Sequence, residues 1–198
     1  MRHAKRPVSI TPLILSQLPI KRRGLTEFTY SRFLVPWLCG YQGQALFLDA
    51  DMVVKGDIGE LFFPFEADVA MMIEQAEFEW ASLMMFNCER CTLLTPEFID
   101  TRTNVLFDRH WARSIASLPS EWNHCVGYTQ PADAKLYHYT QGIPIWTETR
   151  DVEDKPFLEE AKAMLSTVSW SELMGNSVHA QHVRDRLNKS ADLAGLSH

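Results

Sequence analysis

Two aspartates separated by one residue, Asp49-Ala50-Asp51, close the apolar run Ala45-Leu46-Phe47-Leu48. Where a strand runs out into a turn, that spacing aims both carboxylates at a common point. Such hard oxygen donors suit magnesium or manganese bound through phosphate oxygens. The position matters as much as the spacing, because ligands of open α/β sheets sit beyond the carboxyl ends of the strands. An aspartate pair after a strand also has a plainer use, accepting hydrogen bonds from the free backbone donors of a turn. A two-carboxylate phosphohydrolase would need a second metal or a water-activating base beside Asp49, and the sequence displays neither.

A second cluster is the C-x-x-C of Cys88 and Cys91, with Cys39 and Cys125 completing the four cysteines. A structural zinc takes four ligands, and His124-Cys125 could add two, but the spacing fits no ribbon or finger. Buried free thiols near a helix start are the expectation, in a reducing compartment. The chain has 198 residues, 46% of them hydrophobic and 22% charged, with a net charge of −6. That describes one ordinary domain with a sizeable core and without the basic footprint of a nucleic-acid partner. The basic runs Arg2 to Arg6, Lys21 to Arg23 and Arg184 to Lys189 read as solvated faces, with peripheral contact to an anionic membrane as their other use. No run approaches the ~18 apolar residues of a membrane span, and no cleavable leader opens the chain, so a soluble cytoplasmic protein is expected.

The elements that must position the aspartates follow from periodicity. Val8 to Leu15 reads as a short edge strand, and Thr26 to Leu38 as a helix in which Pro36 starts a new turn or makes a kink. Ala45 to Leu48, Val69 to Ile73 and Ser82 to Asn87 are apolar runs of the kind found in strands covered on both faces of a mainly parallel sheet. Asp57 is placed to cap a helix over Ile58 to Phe62, and Pro96 opens another. Trp122 to Gly127 and Ala134 to Tyr139 read as strands, and Pro156 to Met164 and Trp170 to Met174 as helices. One α/β domain over 1–175 is expected, with a polar tail, frayed or helical, over 176–198.

The stretch Thr29-Tyr30-Ser31-Arg32-Phe33-Leu34-Val35-Pro36, followed by Ala45 to Asp51, resembles the bacterial members of the retaining glycosyltransferases of family 8. Asp57-Ile58-Gly59-Glu60-Leu61-Phe62, Ser82 to Cys88, Leu118-Pro119-Ser120-Glu121-Trp122-Asn123-His124 and His138-Tyr139-Thr140-Gln141-Gly142 match further blocks in order, covering roughly Thr26 to Trp146. The resemblance implies a GT-A fold, a Rossmann-like mixed sheet flanked by helices. It implies a nucleotide-diphosphate sugar as donor, a UDP-sugar above all, and a manganese or magnesium ion held by Asp49, Asp51 and His138. It places Arg32, Asn87 and Asn123 at the reacting groups, and Ala50, Trp122, Gln141 and Gly142 around the donor. The implied reaction is transfer with retention to a carbohydrate or glycoconjugate acceptor; a relative that binds the nucleotide sugar without transfer is the alternative.

The chain departs from the pattern in four places. Arg2-His3-Ala4 resembles the end of that family's first helix, so its opening strand is expected to be missing, and Ile73 to Trp80 is shorter than the family's segment. His110-Trp111-Ala112-Arg113-Ser114 stands where relatives carry acidic residues, and Ile145-Trp146 leaves no lysine for the diphosphate.

Overall fold

The computed structural model describes residues 3–26, 28–64, 66–71, 81–102, 109–130, 132–144, 153–169, 172–173 and 175–176. The shortened segment Ile73 to Trp80, Ile145-Trp146, most of the helix expected over Trp170 to Met174, and the tail with its basic run lie outside the described residues.

Among the described residues, seven strands form two sheets. They are β1 (Gln44–Leu48), β2 (Met52–Val54), β3 (Val69–Met71), β4 (Leu83–Asn87), β5 (Ile115–Ser117), β6 (His124–Cys125) and β7 (Leu136–His138). The four-stranded sheet has the order β1-β4-β3-β5 and the three-stranded sheet the order β2-β7-β6. β4 carries the larger sheet. Its alternate side chains enter two separate cores, as the two-residue period of a strand requires. Met84 and Phe86 join Phe33, Leu34, Phe47, Ile99 and Trp111 on one side. Leu83 and Met85 join Ile58, Leu61, Leu118, Trp122 and Leu136 on the other. Trp111 is the anchor of the first core, meeting Phe33 edge-on at 5.6 Å between ring centroids and Phe86 at 6.2 Å.

Burial on both faces explains why these strands read as unbroken apolar runs, but it does not make them parallel. The ladders β1·β4, β3·β4 and β2·β7 are antiparallel, and only β3·β5 and β6·β7 are parallel. The mixed sheet expected from the sequence is present; its parallel majority is not, among the described residues. What covers a strand sets its composition, whereas strand direction is set by the connections. The expected strand over Val8 to Leu15 does not form either. Pro7 and Pro12 remove ladder donors, Ile10 is 68% exposed, and the segment lacks a buried face.

The helices are short. A 3-10 turn over Ser31–Leu34 runs directly into α1 (Val35–Leu38), so Pro36 falls in a first turn where its missing N–H costs nothing. Asp57 caps the 3-10 turn Ile58–Leu61 by accepting from Gly59 N at 3.1 Å, and Thr95 caps α2 (Pro96–Thr101) by accepting from Phe98 N at 3.1 Å. α3 (Asp154–Leu165) is fastened to β2 by Lys55, whose Nζ lies 3.0 Å from Glu159 and 3.1 Å from Glu160. The segment His110 to Ser114 is committed to structure: Trp111 fills the core, and Arg113 N donates to the buried Asp68 carboxylate at 2.7 Å.

The C-x-x-C holds no zinc-like cluster among the described residues. Cys91 Sγ donates to Asp68 O at 3.2 Å, and burial pushes both the Cys88 and Cys91 thiols up to about 12. Only thiolates react quickly with disulfide reagents. Cys39 is the exposed cysteine, so native protein should release one equivalent of thionitrobenzoate rapidly from Ellman's reagent, and four only after unfolding in guanidinium. Fast release of two or more from the folded chain would contradict this packing.

Candidate metal centre

The segment between β1 and β2 leaves one sheet and joins the other within three residues. Asp49 N donates to Ser82 O at 3.0 Å, extending the β1·β4 ladder by one rung. The chain then turns through the exposed Ala50, and Asp51 O accepts from Tyr139 N at 3.0 Å as β2 begins to pair with β7. Each sheet therefore seats one aspartate. The antiparallel register that opposes Met52 to His138 brings the last residue of β7 against the same turn.

One oxygen of Asp49, one of Asp51 and a ring nitrogen of His138 lie within 4.8 Å of one another. His138 is 2% exposed, while 38% of the Asp51 side chain faces solvent, so the cluster is walled behind and open in front. Burial pushes the Asp49 carboxyl above the usual carboxylate range. The charge and hydrogen bond of Arg32 and the nearby His138 pull against that, and the Asp51 carboxylate adds to it. Asp51 Oδ1 stands 3.3 Å from His138 Nε2, within ion-pair reach, yet it is buried and accepts no hydrogen bond from any described residue. The distance alone does not satisfy it, because the direction is wrong for a donated proton. A buried carboxylate oxygen without a donor is costly, and a divalent cation among these three atoms would remove that cost. Two carboxylates with an imidazole form a donor set that manganese accepts more readily than magnesium does. The residues present fit the ion.

The other expected residues divide. Arg32 is in contact with the cluster, with Nη2 3.2 Å from Asp49 Oδ1. Its other two nitrogens are engaged, Nε with Thr29 O at 3.0 Å and Nη1 with Ala81 O at 2.7 Å, and its Cζ lies 5.0 Å from the Phe47 ring centroid. It holds Asp49 in place. Gln141 and Gly142 follow His138 in the chain, where Gln141 Nε2 donates to the hydroxyl of the half-exposed Tyr128 at 2.8 Å and Gly142 takes φ +114.

Three residues are not where the sequence puts them. The family resemblance puts Asn87 at the reacting groups, but β4 is antiparallel to β1 and Asn87 opposes Gln44. At the ~3.4 Å rise of an antiparallel strand it sits roughly 17 Å along the sheet from Asp49. Trp122 is 2% exposed in the second core, with Lys135 Nζ 5.5 Å from its ring centroid, so the indole packs instead of offering a face to a sugar. Asn123 is 1% exposed and lies behind the imidazole, its Oδ1 3.1 Å from His138 Nδ1. The residue that the sequence reading missed is Ser82. As the first residue before β4 it occupies the end of that strand which meets Asp49, a place visible only once the strand direction is known.

No protein-family model matches the chain. Protein CDI of Arabidopsis thaliana is 32% identical to it, the match covering 74% of this chain and 71% of CDI. The chain belongs to the CDI family. This CDI-family chain is also similar to two solved glycosyltransferases. The glycosyltransferase GlyE of Streptococcus pneumoniae TIGR4 superposes with a TM-score of 0.51 at 19% identity, over 78% of this chain and 47% of GlyE. The bifunctional glycosyltransferase WbbM superposes with a TM-score of 0.50 at 17% identity, over 83% of this chain and 38% of WbbM. At these identities the shared property is the fold, and the CDI-family chain has a GT-A glycosyltransferase-like one. It spans less than half of either enzyme. No described helix is long and apolar enough to cross a membrane.

The partnerless oxygen yields a prediction. Asp51→Asn removes one of two neighbouring negative charges and supplies an amide that can donate to His138 Nε2. Without divalent cation the variant should melt about 2–4 °C above wild type, the shift expected of roughly 1 kcal/mol in a chain of this size, and the rise in melting temperature that manganese gives the wild type should vanish. A variant that melts lower than wild type in chelator would show that the oxygen is not strained.

Proposed function

We propose that the chain binds a divalent cation, manganese in the first place, through Asp49, Asp51 and His138, and with it a nucleotide-diphosphate sugar whose sugar it transfers to a carbohydrate or glycoconjugate acceptor. The observation that carries this reading is the convergence of two carboxylates and an imidazole within 4.8 Å, one carboxylate oxygen lacking a hydrogen-bond partner. A glycosyltransferase-like fold with an acidic cluster at the open end of its strands supports a phosphate ligand there.

When bound, the cation would supply Lewis-acid stabilisation to the departing diphosphate, worth several kcal/mol of barrier. The chain's own residues would do the rest. Asp49 and Asp51 offer oxygens from two differently anchored backbones, and His138 offers Nε2 while its other nitrogen is engaged by Asn123. Arg32 balances the charge of Asp49, so the two acids can stand close together in a partly buried place. Ala50, Gln141 and Gly142 are the residues that we assign to the nucleotide sugar, Ala50 standing between the two acids and Gln141-Gly142 three and four residues beyond His138. Retention by same-face attack, with the leaving phosphate oxygen taking the acceptor's proton, requires no further base from the protein.

A second reading has an observation of its own. Of the side chains the family resemblance assigned to the reacting groups and the donor, Asn87 lies at the far end of β4 from Asp49, and Trp122 and Asn123 are buried. A protein that binds the nucleotide sugar without transferring it would show this arrangement too. A panel of donor sugars assayed with manganese for release of free nucleotide separates the two readings: turnover with an acceptor supports transfer, and binding without release supports the second reading. In either case Asp51→Ala should abolish manganese-dependent binding of uridine diphosphate in calorimetry. Unchanged affinity in that variant would remove the site.

A further inference from the structure

Asn123 reaches neither solvent nor an acceptor, yet its side chain is held at both ends. Its Nδ2 donates to Ser82 Oγ at 3.0 Å and its Oδ1 faces His138 Nδ1 at 3.1 Å, all three residues being at most 2% exposed. Cys125 adds a weak third restraint, its Sγ 3.9 Å from Asn123 Oδ1 and 3.7 Å from Asn123 O, both of which a thiol can donate to. Ser82 belongs to the rung that also seats Asp49. One short relay therefore joins the backbone position of the first aspartate to the ring of the histidine.

An imidazole can bind a cation only through a nitrogen that bears no proton, and which nitrogen that is depends on the bond the other one makes. An amide oxygen at Nδ1 keeps the proton there and leaves the Nε2 lone pair facing Asp51. The reversed amide would move the proton to Nε2, whose neighbour Asp51 Oδ1, 3.3 Å away, accepts no hydrogen bond from any described residue. We infer that Asn123 is a positioning residue that fixes His138 in the Nδ1-protonated tautomer, oriented by Ser82, and so prepares Nε2 as a metal ligand before any cation arrives. The metal role of His138 rests on the function proposed above; the tautomer does not.

The test begins on metal-free wild-type protein labelled with nitrogen-15. Long-range proton–nitrogen correlation at pH 8 should show Nδ1 of His138 protonated and Nε2 bare. The opposite pattern overturns the inference without the need for any variant. Asn123→Leu should then lose that single-tautomer signature and bind manganese alone about tenfold to a hundredfold more weakly, the usual scale for a lost partner behind a metal ligand, while Asn123→Asp, which keeps an acceptor at Nδ1, should retain both. Wild-type tautomer and affinity persisting in Asn123→Leu would overturn the inference. If wild-type protein binds no manganese, the proposed function fails, and the correlation spectra of wild type, Asn123→Leu and Asn123→Asp still decide the role of Asn123.

Discussion

The architecture turns on one passage of backbone, where Asp49 ends a rung with Ser82 in the larger sheet and Asp51 begins a rung with Tyr139 in the smaller one. Two sheets that share a strand-to-strand step of this length cannot shift against each other without breaking one of those bonds. A peptide group left unpaired in such a setting costs more than a paired one contributes. The acidic pair is thereby held by main-chain bonds, which are insensitive to the mutual repulsion of the carboxylates themselves.

Around that passage the protein gathers compensation. Arg32 spends each of its nitrogens on Thr29, Ala81 and Asp49, a use for which the planar fork of arginine is suited and the point charge of lysine is not. On the other flank, Glu153 beside the start of α3 accepts from Tyr139 Oη at 2.9 Å through its backbone oxygen, and its carboxylate is paired with His124 Nε2. His124 Nδ1 lies 2.9 Å from Thr129 Oγ1. Buried polar groups that are all satisfied stiffen their surroundings, and this network stiffens the strand ends on which His138 sits. One atom, Asp51 Oδ1, is left out.

How much of this was legible in the sequence depends on whether a property is local. Asp49 and Asp51 were legible because a two-residue spacing after an apolar run needs no partner strand to give it meaning, and the cap at Asp57 and the helix start at Pro96 are local in the same sense. His138 entered through its resemblance to a family block, since nothing in a lone histidine near a strand end marks it as a ligand. Asn87 entered through its resemblance to a family block, and composition, which reports how well a strand is covered, is silent about its direction; with β4 antiparallel to β1, Ser82 and not Asn87 meets Asp49. β5 was overlooked because Ile115–Ser117 is too short to show a period. Trp122 packs in the second core and Asn123 meets the buried side of His138, and sequence cannot tell the side of a histidine that meets a ligand from the side that meets the core.

Ala50 is exposed, between two residues whose backbones are both tied down. The bulk at that position is therefore loosely constrained, while the number of residues is not. Inserting or deleting one would reverse the direction of a side chain relative to its anchored neighbour, as any odd step along an extended backbone does, and turn one acid out to solvent. Chains descended from a common ancestor with this arrangement can drift in the identity of the spacer for as long as they like; a change in its length ends the arrangement at once.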